Sequence, residues 1–139
     1  MYNTIQEKKS KQLAAISIRS ISYWITTALL ALVVMSGAIA ELGHLGGTLE
    51  TVILLGYPTY FLSILGSWKI LGGIAILVPG FPRLKEWAYA GIFFEMTGAA
   101  LSHAACHDYG VNGMHIIVTL LFAALTVASW ALRPASRKL

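Results

Sequence analysis

The sequence predicts an all-α integral membrane protein folded as a four-helix bundle, and three observations predict it. The 139-residue chain is 57% hydrophobic and only 12% charged, with a mean hydropathy of +0.71, far from the balance of soluble domains. Its apolar residues gather into four runs, Ser22 to Leu42, Thr59 to Val78, Glu86 to Ala105 and Met114 to Leu132. Each is close to the ~20 residues that a ~30 Å hydrocarbon core demands at ~1.5 Å per residue. The connections are short, which makes consecutive runs antiparallel neighbours. A soluble bundle would show polar faces that these runs lack. The division that follows is a polar, basic segment over 1–21, one transmembrane domain over 22–132 and a basic tail over 133–139.

The first segment is polar and lysine-rich through Gln12 and is expected to be mobile. Run one follows a basic stretch (Lys8, Lys9, Lys11, Arg19), as a signal peptide would. Its apolar length exceeds a signal h-region, and Glu41-Leu42-Gly43 is a poor small-residue cleavage site, so it reads as a retained span. In the next connection, Thr48 to Leu55 is apolar enough to form a short helix on the membrane surface. Gly56-Tyr57-Pro58 makes a turn, with Pro58 suited to the first position of the second span because its missing N–H is not needed there. Pro79-Gly80-Phe81-Pro82 ends that span and turns the chain. Asp108 to Gly113 supplies the last turn before run four.

Charge assigns the orientation. Of ten Lys and Arg, four precede run one, two (Arg83, Lys85) lie in the second connection, three (Arg133, Arg137, Lys138) follow run four, and the tenth is Lys69. The first and third connections contain none. Both termini are therefore expected in the cytoplasm, with the lipid bilayer as the surroundings of the chain. The formal charge of +4 is explained by this topology and calls for no nucleic-acid partner. Aromatic residues such as Trp24, Tyr57, Trp87 and Trp130 cluster near the span ends, as an aromatic belt requires.

Two charges fall where a bilayer forbids them. Lys69 lies near the middle of run two and Glu95 near the middle of run three, where a charge costs at least ~2.5 to 3.5 kcal/mol on insertion scales. Their depths match although the spans run in opposite directions, which permits a direct ion pair. Gly66, Gly72 and Gly73 flank Lys69 at helical spacing, and Gly91, Gly98 and Ser102 flank Glu95, so both are expected in close helix contacts. The pair serves either as a clasp fixing helix register or as the floor of a ligand or proton-transfer site. Run four carries His115, Thr119, Thr126 and Ser129 on one stripe; run one carries Thr27, Ala31, Ala38 and, at its outer end, Glu41.

The histidines form a second constellation. His44, His103, His107 and His115 all lie at or beyond the outer ends of the spans, with Glu41, Cys106 and Asp108 nearby. His103 and His107 have the i, i+4 spacing that places two imidazoles on one helical face, the geometry of a shared zinc, iron or copper ion. The alternatives are a polar ligand pocket, or interfacial side chains bonded to carbonyls and water. Cys106 is the single cysteine, so neither an intrachain disulfide nor a C-x-x-C shuttle can form.

The stretch Gly56-Tyr57-Pro58-Thr59-Tyr60-Phe61-Leu62 through Leu65-Gly66-Ser67-Trp68-Lys69-Ile70-Leu71-Gly72, then Phe81-Pro82-Arg83-Leu84-Lys85-Glu86-Trp87-Ala88-Tyr89-Ala90-Gly91 and Thr97-Gly98-Ala99-Ala100-Leu101-Ser102-His103, resembles the DoxX-like family of small bacterial membrane proteins. The resemblance implies a four-helix membrane bundle in the bacterial cytoplasmic (inner) membrane. Trp68, Lys69, Glu95, Ser102, His103 and Asp108 occupy the family's recurrent polar and aromatic positions. It also implies a link to quinone-dependent redox chemistry, since the DoxX name is tied to membrane subunits of sulfur oxidation, while related animal proteins look like assembly chaperones.

Residues and resemblance together lead to one expectation. A pocket floored by Lys69 and Glu95, with Trp68 as an aromatic wall, Ser102 among its residues and His103 near its mouth, opens toward the outer face, takes a small apolar or amphipathic molecule such as a quinone, and supports redox chemistry performed with partners. Imidazole titrates near neutrality, which suits His103 to proton exchange. The rivals are a non-enzymatic assembly or partner-binding protein, and a divalent-metal protein using His103, His107, His44, His115, Glu41 and Asp108. A homo-oligomer is compatible with each.

Overall fold

The computed structural model describes residues 2–138. Five helices follow in order: α1 (Tyr2–Leu42), α2 (Thr48–Leu54), α3 (Tyr60–Leu77), α4 (Pro82–Ala105) and α5 (Met114–Leu132). Short 3-10 turns at Val111–Gly113 and Ala135–Arg137 flank α5, and there is no strand among the described residues. The four long helices form a closed ring in chain order: α1 packs on α3, α3 on α4, α4 on α5 and α5 back on α1.

The boundaries follow local chemistry. Where a mobile segment was expected, α1 is helical from Tyr2. No Gly or Pro interrupts it before Gly37, its first turns are rich in good helix formers, and Lys11 bridges Glu7 one turn away at 2.7 Å. The short surface helix expected at Thr48 is present as α2. Phe81 and Gly80 both take left-handed backbone (φ 51° and 77°), and Pro82 then opens α4 with φ preset for a helix. This starts α4 one turn earlier than its apolar run.

Three helical stretches, Thr4–Leu42, Tyr60–Leu77 and Val111–Leu132, are long and apolar enough to cross a membrane. The 24-residue α4 is long enough, but Arg83, Lys85, Glu86, Glu95 and His103 lower its apolarity. The outside of the bundle is apolar: Trp68 is 67% exposed, Leu101 71% and Trp87 80%. Inside, Leu30 and Val34 of α1 meet Ile76 of α3, Tyr89 and Ile92 of α4 and Ala123 of α5. A polar knot lies among them, where the Ser129 hydroxyl is 2.7 Å from Thr27 Oγ1 and 2.9 Å from Tyr89 Oη; each buried hydroxyl so finds a partner.

Close helix approach rests on two of the expected glycines. A Cβ on Gly66 would meet Leu42 Cγ at 2.7 Å and the Ala38 carbonyl at 3.1 Å, and one on Gly73 would meet Met35 Sδ at 2.8 Å. Gly91 and Gly98 differ from expectation, since a Cβ on either would meet nothing within 4 Å. Gly91 is exposed and Gly98 borders a cavity.

The basic residues at the end of the bundle bearing both termini are structural as well as numerous. Lys85 is fully buried, and its ammonium donates to the carbonyls of Ala75 (2.7 Å) and Val78 at the open end of α3. Arg137 reaches back to the carbonyl of Leu77 at 3.2 Å. Helix ends leave four carbonyls without internal partners, and here cations satisfy them while complementing the helix dipole. Arg133, 2% exposed, pairs with Glu86 and lies over the Tyr89 ring at 5.0 Å.

Candidate functional site

A cavity of about 510 Å³ opens at the other end of the bundle, among α1, α3, α4 and α5 and under α2. Its walls are mainly apolar and aromatic (Tyr57, Phe61, Leu62, Phe94, Met96, Phe122), and α2 contributes Thr51 and Val52. Val52 is 5% exposed, which anchors the short helix over the opening.

The polar floor grows from helix geometry. Gly37 of α1 faces Lys69 of α3, and a Cβ there would stand 3.5 Å from the ammonium. One turn further along α1, Glu41 projects from the same stripe and accepts a hydrogen bond from Lys69. From α4, Glu95 Oε1 lies 2.9 Å from the same nitrogen. One ammonium therefore serves two carboxylates, with side-chain exposures of only 9% for Lys69, 12% for Glu41 and 19% for Glu95. Desolvating such a group is offset only when each charge is paired and its other polar atoms are bonded. That condition is incomplete here, because Glu41 Oε2 is buried without a hydrogen-bond partner among the described residues. The floor carries one more formal negative than positive charge and one open acceptor.

The rim holds a second cluster. His103 Nδ1, in the last turn of α4, lies 2.8 Å from Asp108 Oδ2, and His115 Nδ1, in the first turn of α5, lies 3.1 Å from Asp108 Oδ1. Partial desolvation opposes ionisation of Asp108, but the hydrogen bonds to His103 and His115 outweigh it and hold its carboxyl below the usual aspartate value. Ser102, also on the cavity wall, lies 2.8 Å from the Tyr57 hydroxyl and so ties α4 to the segment before α3.

The structure thus brings Lys69 together with Glu95, and places Ser102 and His103 on the cavity wall. It corrects the sequence reading in four places. Trp68 is no wall of the pocket: adjacent residues on a helix point about 100° apart, and with Lys69 turned inward Trp68 faces outward, leaving Tyr57, Phe61, Phe94 and Phe122 as the aromatic lining. His107 does not share a helical face with His103, because α4 ends at Ala105 and His107 has φ 57°; its ring lies edge-on to Tyr109 instead. His44 is exposed in the turn after α1 and joins no ligand cluster among the described residues. Glu41 belongs to the Lys69 floor and not to the histidines.

A family model described as the DoxX-like family matches residues 25–129. The chain belongs to the DoxX-like family. No curated protein and no solved structure matches it. Every polar group of the floor and rim, from Glu41 to His115, falls inside the DoxX-like match, whereas Arg19, Arg133 and Arg137 fall outside it. With its apolar helices, this DoxX-like chain is a membrane protein.

Proposed function

We propose that this DoxX-like protein binds the head of a small amphipathic molecule of the quinone class in the cavity above Lys69, and supports membrane redox chemistry carried out with partner proteins. In this reading all four long helices cross the bacterial cytoplasmic membrane, with both termini inside and the cavity facing outward. The turned-in charges of α4 make its lower apolarity tolerable, because Glu95 meets Lys69 within the bundle. The cavity has the size and make-up of small-molecule sites, apolar walls with few convergent polar groups.

The observation that carries the reading is the open acceptor on Glu41. A buried acceptor without a donor costs about 1–3 kcal/mol, and a ligand hydroxyl recovers it once the Glu41 carboxylate turns toward the cavity that this residue lines. That favours the quinol form, which has O–H donors, over the quinone, which has only acceptors. His103, on the wall near the rim, is placed to exchange a proton with the head group.

The test is titration of the purified chain in lipid nanodiscs with decylubiquinol and, separately, decylubiquinone, read by tryptophan fluorescence. Saturable binding at one quinol per chain is expected, tighter than for the quinone. Glu41→Gln is expected to weaken quinol binding by about tenfold or more, as for a hydrogen bond to a charged group. Absence of saturable binding, or equal affinity in the parent and Glu41→Gln chains, would refute it.

A further inference from the structure

Two members of the rim cluster, Asp108 and His115, have no part in the quinol reading, and they converge on His103. We infer that His103, Asp108 and His115 bind one divalent transition-metal ion of the zinc class. Each residue offers one ligand atom, and the three atoms lie within 4.8 Å of one another. Zn–N and Zn–O bonds of ~2.0–2.1 Å in a tetrahedron put neighbouring ligand atoms about 3.3 Å apart. His103 Nδ1 lies 2.8 Å from Asp108 Oδ2 and His115 Nδ1 3.1 Å from Asp108 Oδ1, so side-chain rotations that gather one carboxylate oxygen and both nitrogens, now within 4.8 Å of one another, to that spacing admit an ion. Two imidazoles and one carboxylate are a donor set suited to zinc, iron or copper.

The backbone holds these side chains in place. The Asp108 amide donates to the His103 carbonyl at 2.9 Å, and the His115 amide donates to the Tyr109 carbonyl at 3.2 Å, so both ends of the loop are fastened to the residues whose rings converge. Gly110 takes φ 62° and ψ −167°, a region open only to glycine. A Cβ there would stand 2.7 Å from His115 Cδ2 and 2.8 Å from Nε2. The ring therefore lies flat on the loop, leaving Nδ1 turned to Asp108. His103 and Asp108 side chains are only 11% and 14% exposed, which shields the ion on one side. Three protein ligands leave the fourth tetrahedral position open, as in zinc sites that bind a water or an exogenous ligand. Since His103 also lines the cavity, the ion sits on the cavity rim.

The experiment uses the full chain, purified through an amino-terminal tag free of histidine, stripped with chelator and titrated with Co²⁺ followed by Zn²⁺. One Co²⁺ per chain is expected, with the visible absorption of a low-coordinate site, displaced by Zn²⁺. Asp108→Asn and His115→Gln should each weaken Co²⁺ binding by tenfold or more, while His44→Gln and His107→Gln leave it unchanged. Zn²⁺ should raise the unfolding midpoint of the parent chain and of neither weakened variant, which separates a lost ligand from a lost fold. The inference is overturned if the folded parent takes up no stoichiometric Co²⁺. It is equally overturned if Asp108→Asn and His115→Gln bind as the parent does, or if binding depends on His44 or His107. None of these readings involves quinol, so the outcome is independent of the cavity's ligand.

Discussion

Replacing Lys69 by methionine removes one charge and strands two. At 2.9 Å from Glu95, a unit pair interacts by about 6 kcal/mol at an effective dielectric constant of ~20, and Glu41 contributes a second attraction on the same nitrogen. Much of this is offset in the folded protein by desolvation, so the attraction is not the net worth of the cluster. What the variant leaves behind decides the cost. Two carboxylates, each less than one-fifth exposed, remain without their counter-ion, and removing one partner of a buried pair costs about 3–5 kcal/mol. The value for Lys69→Met belongs at the upper end of that range, because both acids lose their partner. Glu95→Gln or Glu41→Gln leaves the ammonium one carboxylate and is expected to cost only about 1.5–3 kcal/mol, on the scale of a single hydrogen bond to a charged group. The uncharged triple variant Lys69→Met, Glu41→Gln, Glu95→Gln is expected to regain most of the loss. Reversible unfolding of all variants in mixed micelles, driven by a denaturing detergent and followed by tryptophan fluorescence, gives the numbers. A Lys69→Met chain within about 1 kcal/mol of the parent, or a triple variant no more stable than that single one, would refute the three-way charge cluster.

Helix packing and the exposed cysteine give two further expected outcomes. Gly66→Val places atoms against Leu42 and the Ala38 carbonyl and is expected to destabilise the bundle by about 1–3 kcal/mol in the same unfolding assay, whereas Gly91→Ala, which meets no neighbour, is expected to gain up to about 1 kcal/mol. Equal effects at the two positions would contradict the α1–α3 contact. Exposed Cys106 is expected to react with a membrane-impermeant maleimide in intact cells; labelling only after permeabilisation would reverse the proposed orientation.

Much of the bundle was legible because the physics that builds it is periodic. The stripe Thr27, Ala31 and Ala38 on run one is buried in α1, and Thr126 and Ser129 on run four are buried in α5, as small and hydroxylated residues at helical spacing foretell. Lys69 and Glu95 lie at matching depths in their runs, and the two side chains meet at 2.9 Å. Glu41 was missed as their companion although it continues the same stripe as Ala38. Its place beside the boundary of run one suggested an interface, and nothing in spacing along one helix reveals which residue of another it faces. The histidines failed for a different reason. An i, i+4 pair means a shared face only if the helix persists, and α4 stops at Ala105; the folding-back of the loop at His107, Gly110, Asn112 and Gly113, all at positive φ, is what brings Asp108 and His115 to His103. Lys85 and Arg137 counted toward topology in the sequence, but their work as helix caps depends on where α3 ends.

The stitching of the carboxyl-terminal turn onto α3 separates the two ends of this chain as places to build on. Arg137 is fastened to the end of a neighbouring helix, so a deletion or bulky fusion there tugs at the seam that closes the ring. The opening turns of α1, exposed from Thr4 through Ile16, offer a handle whose alteration leaves that seam untouched.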